Sequence, residues 1–168
     1  AKGTVPVLVL TDGTVIDESE AVMRWALAQA DPRGLLQAGE ASALIAQNDG
    51  AFKHHLDQFK YTDRYPGTNK NEQRAAGLKI LNSWNQRIAD QGWLLGERLS
   101  LADAAIWPFV RQWRIADPEG FDNHNSLGAL RSWLHRFLDD PSFERLMQRA
   151  DPWSSGGLQP IFPADATA

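Results

Sequence analysis

The sequence of 168 residues contains no cysteine, and this absence excludes several kinds of chemistry from the chain itself. Without a thiol it can form no disulfide, no thiolate metal site and no cysteine nucleophile. Long apolar runs are also absent, because no uninterrupted run approaches the roughly 20 residues that span a bilayer. Residues 1–4 lack the basic and apolar regions of a signal peptide. We therefore predict no membrane association and a cytoplasmic location.

Positive charge is scarce as well. The chain has 17 Lys and Arg against 21 Asp and Glu, a net charge of −4, whereas a nucleic-acid-binding surface requires a basic stripe. We predict no nucleic-acid partner. A metal site is not expected at the adjacent His54 and His55, because neighbouring side chains on a helix point about 100° apart. With 43% hydrophobic residues, the composition is that of a globular protein with a real core.

Residues 1–33 predict a β-hairpin followed by one helix. Residues 5–10 are apolar and partly β-branched, and Asp12-Gly13 separates them from a second apolar pair, a strong hairpin signal because both turn residues tolerate positive φ. Residues 17–20 are acidic or carry a hydroxyl, which suits a helix N-terminus. The inward face of this helix is predicted to carry Ala21, Val22, Trp25 and Ala28.

Residues 34–168 predict helices only. The periodicity of apolar residues indicates helices over 41–63, 70–91, 100–115 and 126–138, a short helix after Pro141 and an irregular tail from about residue 152. The predicted fold class is therefore α+β, with a small hairpin-and-helix domain (1–33) before an all-α domain (34–168).

The sharpest local motif is Gly-Glu-Arg-Leu-Ser-Leu-Ala-Asp-Ala at residues 96–104. Ser100 suits the N-cap of the helix that follows. Asp103 occupies position N3, from which its carboxylate can reach back to the backbone of the cap, as in a capping box. Leu99 can act as the hydrophobic staple. We predict a structural role for Ser100 and Asp103, not a catalytic one.

This motif resembles the one that begins the buried sixth helix of cytosolic glutathione transferases. Val5-Pro6, Asp12-Gly13 and Glu18-Ser19 are similar to the second half of the thioredoxin-like domain of that family. The resemblance covers about residues 2–150 in the correct order and implies a glutathione transferase of bacterial type. It implies that the chain starts inside the thioredoxin-like domain, whose first half would precede Ala1.

A glutathione site follows from the resemblance. Independently of it, a helix N-terminus favours a carboxylate, Ser19 can donate its hydroxyl to that group, and Glu18 can accept from an α-ammonium. The alternative is that both residues only cap the helix. In the family, the backbone of Val5 pairs with the cysteinyl part of glutathione and Pro6 is cis. The alternative there is an ordinary X-Pro at a strand start. Lys2 either meets the glycine carboxylate or is simply solvated.

The resemblance places the Tyr, Ser or Cys that stabilises or reacts as the glutathione thiol or thiolate upstream of Ala1. No catalytic residue is therefore predicted within this chain, which alone would be catalytically incomplete. The pocket for the second substrate is implied between the two domains and would be lined by His55, Phe59, Trp107 and Arg111. Core packing is the alternative for each of these aromatic side chains.

The expected activity is the transfer of glutathione, as a substrate and with no metal, to a small electrophilic molecule. A homodimer is implied by the resemblance, and the exposed edge of an apolar hairpin is a second reason to expect association. A different class of function remains open. The chain could belong to a non-catalytic binding or assembly module built on the same fold, since fold alone does not determine function.

Overall fold

The computed structural model describes residues 5–149, 151–152 and 154–157. Two strands, β1 (Val7–Val9) and β2 (Val15–Asp17), come first. The α-helices are α1 (Ser19–Gln29), α2 (Ser42–Gln47), α3 (Lys53–Lys60), α4 (Lys70–Gln91), α5 (Leu101–Ala116), α6 (Pro118–Asp122), α7 (Gly128–Leu138) and α8 (Ser142–Met147). Lys2 lies outside the described residues, as do residues 153 and 158–168 of the predicted tail.

The hairpin is present as predicted, but its turn differs in detail. The strands are antiparallel with Leu8 opposite Ile16 in the register. Only Gly13 in the turn has positive φ, at 86°, whereas a two-residue Asp-Gly turn would require it at Asp12 as well. Asp12 instead accepts the Thr14 N–H at 2.9 Å, and the hydrogen bonds from Thr14 lower the pKa of this exposed carboxyl. The turn is therefore longer than the pattern indicated.

Helix α1 contains no fully buried residue. Met23 and Leu27 are the residues of α1 that pack against the core, whereas Ala21 and Ala28 are exposed. The predicted inward face was therefore wrong at both alanines. Two long apolar side chains, spaced four residues apart, cover more of the neighbouring surface than the alanines can.

The helices after residue 34 form a bundle around one hydrophobic core. Its largest fully buried side chains include Trp84, Trp113, Trp133, Phe52 and Phe121. These come from four different helices and from the segment between α2 and α3, so the core is built from parts of the chain that are distant in sequence. The predicted α+β class, a small hairpin with a helix followed by a helical bundle, is confirmed.

The helix predicted over 41–63 runs from residue 42 to residue 60 but is not uniform. Residues Asn48–Phe52, between α2 and α3, form a π-helical turn. Leu44, Asn48, Phe52 and Leu56 are all buried and lie four residues apart. In an α-helix each such step drifts by about 40° around the axis, because one turn takes about 3.6 residues. The wider π turn offsets this drift and keeps the four side chains facing the bundle.

Two of the short elements that were not predicted separately lie just before and just after residues 123–124. Helix α6 begins with Pro118 at its first position, and the Asp117 side chain caps it by accepting the Gly120 N–H at 3.2 Å. A 3₁₀ turn (Asn125–Leu127) leads into α7, which starts at Gly128. Both are too short to produce a helical period of apolar residues, so only their capping residues could have indicated them.

Candidate functional site

The hairpin brings the two halves of the predicted glutathione site to one end of the sheet. Val7 is paired with Asp17 in the antiparallel register. Pro6 directly precedes Val7 and Glu18 directly follows Asp17, so Val5-Pro6 and Glu18-Ser19 flank the last pair of the ladder. All four residues are exposed, and the peptide bond between Val5 and Pro6 is cis.

Glu18 has an uncommon backbone conformation. Its φ is 73° and its ψ is 133°, and it is the only non-glycine residue with positive φ in the described part of the chain. A non-glycine residue in a sparsely populated region costs on the order of 1–3 kcal/mol, and such residues cluster at ligand sites. Glu18 is also the N-cap of α1, so its backbone conformation sets the direction in which the first turn of the helix begins.

The N-terminus of α1 presents partially positive backbone amides next to negatively charged carboxylates. The first hydrogen bond along this helix runs from the Val22 N–H to the Glu18 carbonyl at 3.1 Å, so the amides of the preceding residues point out of the end of the helix. Glu20 is paired with Arg24 at 2.7 Å, which compensates one of the nearby carboxylates. Amide donors beside the Glu18 carboxylate suit a ligand that carries both a carboxylate and an ammonium group.

The capping box at the start of α5 is present and reaches further than the sequence indicated. Asp103 is fully buried, and one carboxylate oxygen accepts hydrogen bonds from the Ser100 N–H, at 3.0 Å, and from the Ser100 hydroxyl. The other oxygen accepts from the Leu94 N–H at 3.0 Å and from the Trp133 indole N–H at 2.8 Å. Asp103 therefore ties the preceding loop and α7 to the start of α5.

The structure does not bring together all four residues predicted to line a second-substrate pocket. Phe59 is 3% exposed and stacks on Trp113, with the ring centroids 4.8 Å apart. This places Phe59 in the core, which was the alternative, because α3 turns this face towards α5. His55 lies one turn earlier, partly buried, and its Nδ1 is 2.7 Å from the Gln73 side-chain oxygen on α4.

Trp107 and Arg111 lie together on a different face of α5 from Trp113. The Trp107 ring stacks on the Phe137 ring, with the centroids 5.3 Å apart. The centroid of the Phe143 ring, on α8, lies 6.1 Å from the centroid of Trp107 and 5.4 Å from the guanidinium carbon of Arg111. Both residues are partly exposed. Phe143, which was not among the predicted site residues, thus covers part of the surface of Trp107 and Arg111.

An open cleft lies elsewhere, between the loop after α1 and the loop before α5. It encloses about 620 Å³ and is lined by residues 37–39 and 95–98. Arg98 donates to the Gln37 carbonyl at 2.9 Å across it. At its edge, Asp31 accepts backbone N–H groups, chiefly that of Leu36, which lowers the pKa of Asp31. None of the predicted site residues lines this cleft.

Within the described residues, no group of three or more His, Cys, Asp or Glu side chains is arranged to hold a metal ion. Among the helices of that same part of the chain, none is both long and apolar enough to cross a bilayer.

Comparison with known families decides the identity of the chain. Residues 43–140 match the family model of the glutathione S-transferase C-terminal domain, which is more than half of the sequence. The chain belongs to the glutathione S-transferase family. The resemblance stated from the capping motif and the hairpin is thereby confirmed, and the hairpin with its helical bundle is the arrangement of the glutathione S-transferase fold.

Individual glutathione S-transferases agree with this assignment. The chain is 28% identical to glutathione S-transferase GstA of Escherichia coli O157:H7 over 163 residues, which are 94% of this chain and 76% of that protein. A glutathione S-transferase structure from Rhodospirillum rubrum matches with a TM-score of 0.65 at 24% identity, covering 90% of this chain and 74% of that one. A glutathione S-transferase from Methylobacterium radiotolerans, solved with glutathione sulfonate, matches with a TM-score of 0.55 at 20% identity, covering 90% and 76%.

Proposed function

We propose that the protein binds glutathione and transfers it to small electrophilic molecules in the cytoplasm. The observation that supports this proposal is the pairing of Val7 with Asp17, the residues next to Val5-Pro6 and Glu18-Ser19. Two motifs that are 13 residues apart in the sequence (Val5 to Glu18) thus adjoin the same pair of strand residues, and every member is exposed. The family membership and the glutathione sulfonate bound by the relative from Methylobacterium radiotolerans support the same ligand.

The proposed binding mode assigns each group by its chemistry. The α-carboxylate of glutathione accepts the outward amides at the N-terminus of α1 and the Ser19 hydroxyl. The α-ammonium is held by the Glu18 carboxylate. The backbone of Val5 pairs with the cysteinyl residue, as one strand pairs with another. Lys2 is proposed for the glycine carboxylate on the resemblance alone.

A direct test is calorimetric titration of the intact protein with glutathione. Glu18→Gln removes the charge that holds the ammonium and is expected to weaken binding at least about tenfold, since hydrogen bonds to charged groups contribute on the order of 1.5–3 kcal/mol. Ser19→Ala is expected to weaken it less. Ser83→Ala, at an exposed position of α4, is the matched control and is expected to change nothing. Absence of binding at millimolar glutathione would refute the proposal.

An activity assay on the same intact protein distinguishes a transferase from a non-catalytic module. Conjugation of glutathione to an aromatic halide, followed by absorbance, is expected if the family activity is retained. Binding of glutathione without any conjugation would favour the module. The thiol must be brought towards its thiolate form to react well, and we assign that task to no residue of this chain.

We also propose that the protein is a homodimer. Val7, Val9 and Val15 are 52%, 62% and 61% exposed and lie on one face of the hairpin. Contiguous exposed apolar surface next to strand edges favours association. Light scattering at micromolar concentration is expected to give twice the mass of one chain, and the mass of a single chain would contradict the proposal.

A further inference from the structure

Three cationic side chains gather around two aromatic rings where α3 ends and the chain turns towards α4. Lys60 Nζ lies 4.8 Å and the Arg64 guanidinium carbon 4.5 Å from the centroid of the Tyr61 ring. Lys70 Nζ lies 5.2 Å from the centroid of Phe59. The sequence has more acidic than basic residues, so a local group of three positive charges is not a consequence of composition.

The backbone and a contact with α5 hold this arrangement. The Tyr61 N–H donates to the Asp57 carbonyl at 2.8 Å, and the Tyr61 carbonyl accepts the Arg64 N–H at 2.9 Å. The 3₁₀ turn formed in this way brings the guanidinium back over the ring. The Lys60 ammonium donates to the side-chain oxygen of Gln112 on α5, so its position depends on the tertiary fold.

The two cations next to Tyr61 have no carboxylate partner among the described residues. Among the ion pairs of the described residues, none includes Lys60 or Arg64. The Asp57 carboxylate is engaged by Lys53 at 2.5 Å. Asp63, which is exposed, forms no ion pair with any described residue. Two positive charges that share one ring without a carboxylate create a positive local potential.

The start of α4 adds to this potential. Lys70 is the first residue of that helix, where the helix dipole disfavours a cation, and Asn69 caps the helix by accepting the Asn71 N–H at 3.0 Å. The sequence therefore places a further positive charge at the one end of the helix that favours negative groups. An anion bound next to this end of the helix would compensate both the side chains and the dipole.

We propose that Lys60, Tyr61 and Arg64 form a binding site for the carboxylate or phosphate group of a small organic molecule. A guanidinium can donate two hydrogen bonds to the oxygens of such a group, and the ammonium and the phenol can donate one more each. Tyr61 is partly buried, so its ring forms one wall of the site and is held in place by the surrounding residues. This site is separate from Glu18 and Ser19 and does not depend on the proposed binding of glutathione.

The test uses three ligands of similar size in calorimetric titrations at low ionic strength. Benzoate and phenyl phosphate are expected to bind, and benzamide, the neutral analogue of benzoate, is not. The stronger of the two anions identifies which group the site prefers. Added salt is expected to weaken both, because the charged side chains are exposed at least in part.

Substitutions locate the site. Arg64→Gln and Lys60→Gln are each expected to weaken the stronger anion about tenfold or more, since each removes a charge-assisted hydrogen bond. Lys79→Gln and Arg87→Gln remove the same charge from exposed positions of α4 and serve as matched controls that leave binding unchanged. Arg64 donates no described side-chain hydrogen bond, so its variant is expected to melt at the same temperature as the parent.

Three results would overturn the proposal. The first is that neither anion binds at millimolar concentration, and the second is that benzamide binds as tightly as benzoate. The third is that the control substitutions weaken binding as much as Arg64→Gln does. The last result would show a general effect of charge instead of a site. If Lys60→Gln lowers the melting temperature through its contact with Gln112, Arg64→Gln alone decides the outcome.

Discussion

The two parts of this chain differ sharply in how they bury their apolar residues. The helical bundle encloses three tryptophans with no exposed surface, whereas α1 contains no fully buried residue and the hairpin exposes its valines. Since burial of apolar area is the main favourable contribution to folding, the bundle holds most of the stability of this chain. The exposed end of the hairpin holds the proposed glutathione contacts. In this molecule the residues that stabilise and the residues proposed to bind glutathione are in different places.

The largest effect is expected from Asp103→Ala in the bundle. The substitution leaves the Leu94 N–H, the Trp133 indole N–H and the Ser100 N–H without their buried acceptor. Each unsatisfied donor costs about 1–3 kcal/mol, so we expect a loss of about 4 kcal/mol in the free energy of unfolding, measured by urea titration.

The matched control is Asp90→Ala, because Asp90 is exposed and accepts one hydrogen bond, from Gln86. A change below about 0.5 kcal/mol is expected there. If the two alanine variants were equally stable, the buried carboxylate would not hold the bundle together.

Gly77→Ala is expected to show how closely the helices of the bundle approach each other. A β-carbon at Gly77 would lie 2.3 Å and 2.4 Å from two carbons of the Trp113 ring, so the ring or one of the helices α4 and α5 must shift. We expect a loss of about 3 kcal/mol in thermal or urea unfolding.

Gly50→Ala is the control for Gly77→Ala, since nothing lies within 4 Å of a β-carbon added at that position. It is expected to raise stability by up to about 1 kcal/mol, because alanine restricts the unfolded chain more than glycine does. Destabilisation by both substitutions to the same extent would point to the helical backbone and not to the ring.

Val110→Ala and Val9→Ala compare the two regions with one chemical change. Val110 is fully buried in α5, and Val9 is 62% exposed in β1. At Val110 the loss of two buried methyl groups is expected to lower the free energy of unfolding by about 2 kcal/mol. At Val9 the same change is expected to lower it by less than about 0.5 kcal/mol. Urea titration of both variants measures the difference. Equal losses would mean that the hairpin is as well buried as the bundle.

The smallest effect concerns a pair on the surface of the bundle. Arg114 donates to both oxygens of Asp122, at 2.8 Å and 2.9 Å, which lowers the pKa of Asp122 and raises that of Arg114. A lowered carboxyl pKa adds stability above its unfolded value of about 3.9 and loses it as the pH falls through the folded value. Arg114→Gln is therefore expected to lower stability at pH 7 by less than about 1 kcal/mol, since both groups are more than a third exposed.

Urea titrations of the parent and the Arg114→Gln variant at pH 7 and below pH 3 check this expectation. The difference between them should shrink as the pH falls and Asp122 becomes protonated. Arg87→Gln removes an exposed arginine that forms no ion pair with any described residue and should show no such dependence. A difference for Arg114→Gln that persisted undiminished at low pH would show that packing of the side chain, not the ion pair, is responsible.

Much of this architecture was predictable because its signals are local. The Asp-Gly turn predicted the hairpin, and the spacing of apolar residues predicted α4 at the bounds that the structure has. The Ser100–Asp103 box is likewise a pattern within four residues. The position of Phe59 was not predictable in the same way. Its inward orientation depends on the rotation of α3, which the π turn before it sets.

The contacts that the sequence did not reveal join distant segments. The hydrogen bond from Trp133 to Asp103 connects residues 30 positions apart, and the one from Lys60 to Gln112 connects residues 52 apart. No periodicity or capping rule indicates such pairs. The sequence does show a lysine, a tyrosine and an arginine within five residues, but only the 3₁₀ turn brings both cations over the ring.

The π turn at Asn48–Phe52 also has a consequence for how the chain can change in length. A π turn holds roughly one residue more than an α-helical turn, and its three outward residues, from Asp49 to Ala51, are exposed. Gly50 has open space around it. A single-residue deletion at Gly50 can thus be absorbed by conversion to an ordinary α-helical turn. Relatives that differ by one residue at this point would keep α2 and α3 as one helix and differ in the rotation of α3 about its axis.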